Sequence, residues 1–509
     1  MLAGLFGKKS DHPLANLKSV QQVLADVPKA DALKALQELS SWVESLRDQA
    51  DEFRLDHQVA VLRLLDEAAQ PHVRKLLRDY FSLQPLNKFQ ENRIWAALND
   101  FFTLSEQSYT DILARCRKGD RNASAIKPQL ALLAARGIVA AANKLKLAAV
   151  RYALIDPALW AHLAEIYSYA ETQNLLDESL SLYPGTGTNT SAGREFAGVM
   201  VWFAVGTGSL PSLHIHIAER LIAHLNKYLT AGAQGVAGSQ WVVNLAQPTP
   251  PMRVNAETTI HPSLRFIGIG EVESALNDLL KSLEKGIVPQ DVNLGGPVYE
   301  AELVRDVARQ LVARCVLPPP ARRNVRRKIK VNLHVANGFF KLVENTDIGL
   351  NFHSEPNEVW EVEDISATGF RSVTAPSTLD SVKIGSLIGS KPENVGSWGV
   401  GIVRRLSRDA QNNLHVGVEI LANQVIGVSL GARDHSGAGE DNLALYLNKP
   451  NDNSGEAWLL MKPGAFLANR SFNMAVGDKT YLLLPLGLVE SGEDYDLARY
   501  RKMEQDTSE

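Results

Sequence analysis

Two short stretches carry residue types that can hold a ligand. Ala321-Arg322-Arg323-Asn324-Val325-Arg326-Arg327-Lys328 opens a run with four arginines and two lysines between positions 322 and 330. A guanidinium is a planar fork of donors that grips a phosphate, so this density of positive charge suits a phosphate ligand. Further along, Asp364-Ile365-Ser366-Ala367-Thr368-Gly369 sets a carboxylate, a hydroxyl and a glycine two and three residues apart. It follows an apolar-alternating run, as where a strand turns and a glycine lets ligand or backbone come close.

The rest of the chain bounds what these stretches can mean. At 509 residues it is long enough for roughly three or four units of ~100–200 residues. A net charge of -4 argues against a general nucleic-acid binder, so the basic run is a local feature and neither DNA nor RNA is an expected partner. Cys116 and Cys315 are the only cysteines and form neither a disulfide framework nor a zinc pattern, which fits a reducing, cytoplasmic setting. Met1–Ser10 puts its charge after a very short apolar run, unlike a secretory signal, and residues 1–11 read as a flexible tail. The most apolar window, Leu130–Leu154, is broken by Arg136, Lys144, Lys146 and Arg151, so no span of the ~20 apolar residues a membrane needs is expected.

The elements that must position the two stretches change character along the chain. Residues 12–184 read as a helical domain. His57–Leu65 continues through Val73, Leu76 and Leu77 with apolar residues three and four apart, and similar patterns recur at Ala32–Leu46 and Arg93–Leu104. Gln129–Leu154 is alanine-rich, suited to close helix packing. Residues 185–317 read as mostly helical with a few strands. Trp241–Leu245 is strand-like, Leu264–Gly270 precedes a helix with Val272, Leu276, Leu279, Leu280 and Leu283 on one face, and a helix over Tyr299–Val316 is ended by Pro318-Pro319-Pro320.

Four suggestive patterns in this half fall short. Trp160-x-x-Leu163-Ala164-x-x-Tyr167 is half a tetratricopeptide signature without a second copy, so it reads as one amphipathic helix. Gly185–Gly193 is glycine-rich but lacks a Gly-Lys-Ser/Thr ending, and Gly268-x-Gly270 has Glu273 where a dinucleotide fingerprint needs its third glycine; both read as connections. His214 and His216 stand two apart on a helix and point away from each other, without cysteine or carboxylate partners, so no metal is expected.

Past the prolines the hydrophobic period drops to two. In Lys328–Val335, Ile329, Val331, Leu333 and Val335 alternate with polar residues. Strand-like runs follow at Val359–Val362, Phe370–Val373, Val382–Ile388, Trp398–Leu406 and Leu414–Leu421, the last two joined through Arg408–Asn413. That succession predicts a small antiparallel barrel over residues 318–430. A β-rich extension over 431–495 carries Leu443–Leu447, Ala457–Met461, Ser471–Val476 and Tyr481–Leu488, and 496–509 reads as a disordered tail. The fold class expected is α+β multidomain, a large helical region followed by a barrel and the extension.

The order of these motifs resembles a known family. The Arg-x-x-x-Arg cluster, a strand, Asp364-x-Ser366-x-x-Gly369, Val382-Lys383-Ile384-Gly385-Ser386-Leu387, Gly401-Ile402-Val403-Arg404 and Val416-Gly417-Val418-Glu419-Ile420 together look like a PilZ domain over about 321–430. The resemblance implies a six-stranded barrel that binds the bacterial second messenger cyclic di-GMP. It implies Arg322, Arg323, Arg326, Arg327, Asp364, Ser366 and Gly369 as ligand-binding residues. Arginine can clamp a phosphate or pair with guanine O6 and N7, and Asp364 can accept from guanine N1 and N2 hydrogens. Both Arg322/Arg326 and Arg323/Arg327 satisfy the arginine spacing. The apolar residue that the family has soon after its second arginine is here Ile329, behind Lys328, and Arg323 with Arg327 is the preferred pair. The helical region would bind an unidentified protein partner and be reoriented by the ligand. No catalytic motif is present in the sequence, so a receptor without a further cofactor is expected. The alternatives are a silent barrel acting as an adaptor and a nucleic-acid-binding barrel.

Overall fold

A computed structural model describes residues 12–84, 86–185, 189–235, 238–293, 298–316, 324–346, 357–375, 382–432, 443–448 and 455–505. The chain divides into two compact units. One comprises Met1–Arg151, Ile155–Thr207 and Ser212–Pro319; the other comprises Pro320–Glu509 with the short pieces Tyr152–Leu154 and Gly208–Pro211.

The first unit is a helical array: α1 (Leu17–Asp26), α2 (Ala32–Asp48), α3 (Leu55–Tyr80), α4 (Lys88–Arg117), α5 (Ala123–Ile126), α6 (Leu130–Ala149), α7 (Pro157–Thr172), α8 (Ala192–Ala204) and α9 (Ser212–Leu225). Its starts are set by short polar side chains that satisfy the orphan N–H groups of the first turn. The Asp31 carboxylate accepts from the Leu33 and Lys34 amides ahead of α2, Asn87 from Gln90 ahead of α4, and Asp156 from Ala158 ahead of α7, where Pro157 occupies the first turn. The Gly185–Gly193 loop ends in the same way, with Ser191 capping α8; Thr186–Thr188 lie outside the described residues.

At the centre lies α6. A Cβ at its Gly137 would stand 3.1 Å from Ile166 and 3.2 Å from Tyr109, so the missing side chain is what lets α4, α6 and α7 approach closely. By length and composition Ala123–Ala149 is the one stretch among the described residues apolar enough to cross a membrane. In the fold most of it is buried within the protein, and it carries Arg136 into the interior, 1% exposed.

After α9 the unit adds β1 (Thr230–Gly232), β2 (Ser239–Asn244), β3 (Met252–Arg253) and β4 (Leu264–Gly268), then α10 (Val272–Glu284) and α11 (Ala301–Leu311). The sheet is antiparallel with order β1-β4-β2-β3. The Gly268-x-Gly270 segment is therefore a turn into α10, where Gly270 has φ +43 and a Cβ would meet the Tyr228 carbonyl at 2.8 Å. His216 is buried, stacked on Phe81 with ring centroids 4.0 Å apart.

The second unit holds β5 (Arg327–Asn337), α12 (Phe339–Asn345), β6 (Glu358–Ser366), β7 (Gly369–Thr374), β8 (Leu387–Pro392), β9 (Gly399–Arg408) and β10 (Leu414–Ala422). These six strands close in the order β10-β7-β6-β5-β8-β9 around Leu333, Val335, Trp360, Val362, Phe370, Val403, Leu406, Val416 and Val418. The run expected as a strand over Val382–Ile388 divides. Its first part is a turn with Gly385 at φ +90, a conformation that suits glycine, and β8 starts only at Leu387.

Beyond Ala422 come β11 (Val425–Ala432), β12 (Leu443–Leu447), β13 (Glu456–Met461), β14 (Phe472–Val476), β15 (Lys479–Ser491) and β16 (Asp496–Gln505). They close a second six-stranded barrel in the order β11-β12-β13-β16-β15-β14. The disordered tail expected from 496 is corrected here, because Asp496–Gln505 is the strand that pairs with both β13 and β15. Its charged composition hides an inward face of Asp496, Ala498 and Tyr500. Buried Asp496 accepts from the Gly464 amide at 2.8 Å and the Ser491 hydroxyl at 2.5 Å. An apolar cluster with Phe339, Leu342, Leu387, Trp398 and Ile402 from the first barrel and Leu445, Leu447, Leu460, Tyr495 and Leu497 from the second packs the two barrels into one body.

Candidate functional site

Strand β6 runs through Asp364 and Ser366 and turns only at Ala367-Thr368, so Ser366 stands opposite Gly369 at the start of β7. The Ser366 hydroxyl donates to the Gly369 carbonyl at 3.1 Å, and Ile420 N donates to the Thr368 carbonyl at 3.0 Å. Gly369 is needed for backbone packing: a Cβ there would stand 2.5 Å from the Val418 carbonyl of β10. The motif thus builds a tight hairpin laid against β10.

An open groove of about 530 Å³ runs from this hairpin across the outer face of the barrel, lined by residues of β6, β7, β9 and β10 together with Arg326. Its residues reach the outside through irregular pairing. Register shifts fall between Lys328 and Val331, between Val362 and Asp364, and between Gly417 and Val418, opposite Arg404. A bulge inserts one unpaired residue and breaks the in-out alternation. Accordingly Glu363 and Asp364 follow inward Val362, and Arg404 and Arg405 sit between buried Val403 and Leu406.

The register also separates the two described arginines of the cluster, Arg326 and Arg327. Lys328 stands opposite Asp364 and Arg327 opposite Ile365. Alternate residues share a face, so Arg326 lies with Lys328 and Asp364 while Arg327 points the other way. The Arg326 guanidinium donates to the Asp364 carboxylate at 2.7 Å, and both line the groove with Ser366 and Gly369; Arg327 does not. This differs from the preferred pair Arg323/Arg327. Arg322 and Arg323 lie outside the described residues.

Several groove residues were not among the ligand-binding residues expected: Arg371, Arg404, Arg405, His415 and Gly417, of which Arg404 and Gly417 lie in motifs of the resemblance. Most of its cations are committed. Arg371 pairs with Glu363 at 2.8 Å, and His415 lies 2.9 Å from Glu363 and 3.3 Å from Asp409. Arg404 bonds Glu419 at 2.8 Å and, through both terminal nitrogens, Glu490 at 2.7 Å. That hydrogen-bonded pair holds the Glu490 carboxyl below its ordinary range. The one available signal for the arginines was the dipeptide Arg404-Arg405 between apolar neighbours, which breaks a period of two and marks a bulge.

Among the described residues no group of three or more His, Cys, Asp or Glu is placed to hold a metal ion. The arrangement offers hydrogen-bond donors, the carboxylates of Asp364 and Glu419 and a glycine-floored surface to an anionic, partly planar ligand. No curated protein matches the chain. Residues 18–234, within the helical unit, match the family described as the cyclic-di-GMP receptor FimW, N-terminal domain.

Proposed function

We propose that the protein is a cyclic di-GMP receptor whose ligand site is the groove on the first barrel. The observation that carries this reading is the convergence of Arg326, Asp364, Ser366 and Gly369 on one groove wall. The match of residues 18–234 to the N-terminal domain of a cyclic di-GMP receptor supports it from the other half of the chain.

Each group has work that fits the ligand. Asp364 accepts from the N1 and N2 hydrogens of a guanine, and Arg326, released from its partner, grips a phosphate or the guanine O6 and N7. Exchanging one charged partner for another conserves hydrogen bonds, so the groove binds without leaving a charge orphaned. The arginine segment sits in sequence between the helical region and β5. Ligand capture at Arg326 is therefore read out by the helical region, which engages a protein partner in the cytoplasm; no catalytic step is involved.

Calorimetric titration of the full chain tests this, with cyclic di-GMP as ligand and linear GMP as control. Saturable binding of the cyclic dinucleotide that is lost in Asp364→Ala is the expected result. Undiminished binding by that variant, or none by the parent, would sink the proposal.

A further inference from the structure

Arg405 is the exception among the groove's arginines. Arg326, Arg371 and Arg404 each face a carboxylate. Arg405 is exposed and has no ion pair or hydrogen bond to its side chain among the described residues. Its position is set by the fold. Gly417 stands opposite Arg371 on one side and opposite Arg405 on the other, so the two arginines flank a residue with no side chain. A Cβ at Gly417 would lie 3.2 Å from the Arg405 Cβ. The glycine leaves a notch whose floor is backbone and whose walls are guanidinium stems.

We infer that this notch is a second anion subsite, in which Arg405 and Arg371 hold one phosphodiester of the ligand while Arg326 and Asp364 hold the opposite end. The inference rests on the reading of the groove as a cyclic dinucleotide site. Asp364, Arg371, Gly417 and Arg405 stand opposite one another in a single row across four strands. Three strand spacings separate Asp364 from Arg405, about 14 Å. A ligand that gives guanine N–H donors to Asp364 and a phosphodiester to the notch fits the two ends of that row. Arg405 needs no partner exchange to bind, unlike Arg326, whose carboxylate must first let go. It is therefore the group that a phosphate meets at least cost.

The test titrates cyclic di-GMP into the full-length parent protein and three variants, Arg405→Ala, Arg405→Lys and Lys330→Ala. Lys330 is an exposed cation of the same barrel that does not line the groove, so it controls for the loss of one positive charge. Arg405→Ala is expected to weaken binding roughly 10- to 100-fold, Arg405→Lys by less, and Lys330→Ala not at all. All should melt with the parent, because Arg405 supports no other side chain. If Arg405→Ala binds like the parent while Asp364→Ala does not bind, the second subsite is overturned and the receptor reading stands. If Lys330→Ala weakens binding as much as Arg405→Ala, the effect is general charge and the subsite is again overturned. A parent that fails to bind overturns both.

Discussion

Two of the protein's Arg–Asp pairs stand in opposite surroundings, Arg136–Asp66 in the helical unit and Arg326–Asp364 on the first barrel. Arg136 and Asp66 are 1% and 2% exposed. Tyr109 donates to Asp66 at 2.5 Å, Tyr183 and Gln70 also donate to it, and Arg136 reaches Glu67 at 2.8 Å and covers the Tyr183 ring. Burial pushes the Asp66 carboxyl up against the pull of Arg136, and it drives the Tyr109 and Tyr183 hydroxyls well above their usual range. Arg326 and Asp364 approach more closely, 2.7 Å against 3.5 Å between Arg136 and Asp66, but lie at a groove edge with side chains 37% and 19% exposed. The same two residue types form a buried network where water is excluded and an accessible pair at the edge of an open groove, and burial, more than chemistry, separates the two.

Breaking each pair should separate the roles. Asp66→Ala leaves the Tyr109 and Tyr183 hydroxyls and one nitrogen of Arg136 buried without their carboxylate and is expected to destabilise the helical unit by about 3–5 kcal/mol, read by denaturant unfolding with helix content as signal. A loss below ~1 kcal/mol would mean the buried pair is dispensable. Asp364→Ala is expected to reverse that profile, with calorimetric binding of cyclic di-GMP lost while the melting temperature stays at the parent's. A melting shift comparable to that of Asp66→Ala would erase the distinction.

Smaller effects sharpen the contrast. Gly369→Ala drives a methyl group into the Val418 carbonyl and should cost about 1–3 kcal/mol through displacement of the hairpin. In the second barrel, Gly487→Ala meets nothing within 4 Å and should stay within about 0.5 kcal/mol. Equal costs would show that the hairpin yields freely. His216 supplies a pH-dependent readout for the helical unit. Burial, with Lys146 and Arg220 nearby, holds its imidazole well below the ordinary value of 6.5, so the unfolded chain takes up a proton below that pH while the folded one does not. Stability contributed by this residue is present above pH 6.5 and declines as the pH falls, by at most about 1.4 kcal/mol per pH unit. His216→Phe should flatten the decline between pH 6.5 and 5.5 in unfolding experiments, and an unchanged slope would assign the acid sensitivity elsewhere.

Much of the fold and part of the site were legible beforehand, for reasons visible in particular residues. Helices such as α3 and α10 declare themselves because one face must be apolar over several turns, as with Val272, Leu276, Leu279 and Leu283. Asp364, Ser366 and Gly369 stood out because a hairpin and a polar ligand both constrain spacing within six residues. Strand β16 was missed because closing a barrel requires only every second residue inward, and Leu497 through Lys502 reads as charged when averaged.

By itself the sequence determined the α+β division at the prolines, the alternation that makes a barrel and the local turn carrying the motif. All of these are set by neighbours along the chain. Tertiary structure decided which arginine shares a face with Asp364, that Arg404 and Arg405 both emerge from β9, and that Gly417 opens a notch between Arg371 and Arg405. Each depends on the register between strands distant in sequence, and a shift of one residue moves a side chain to the other face.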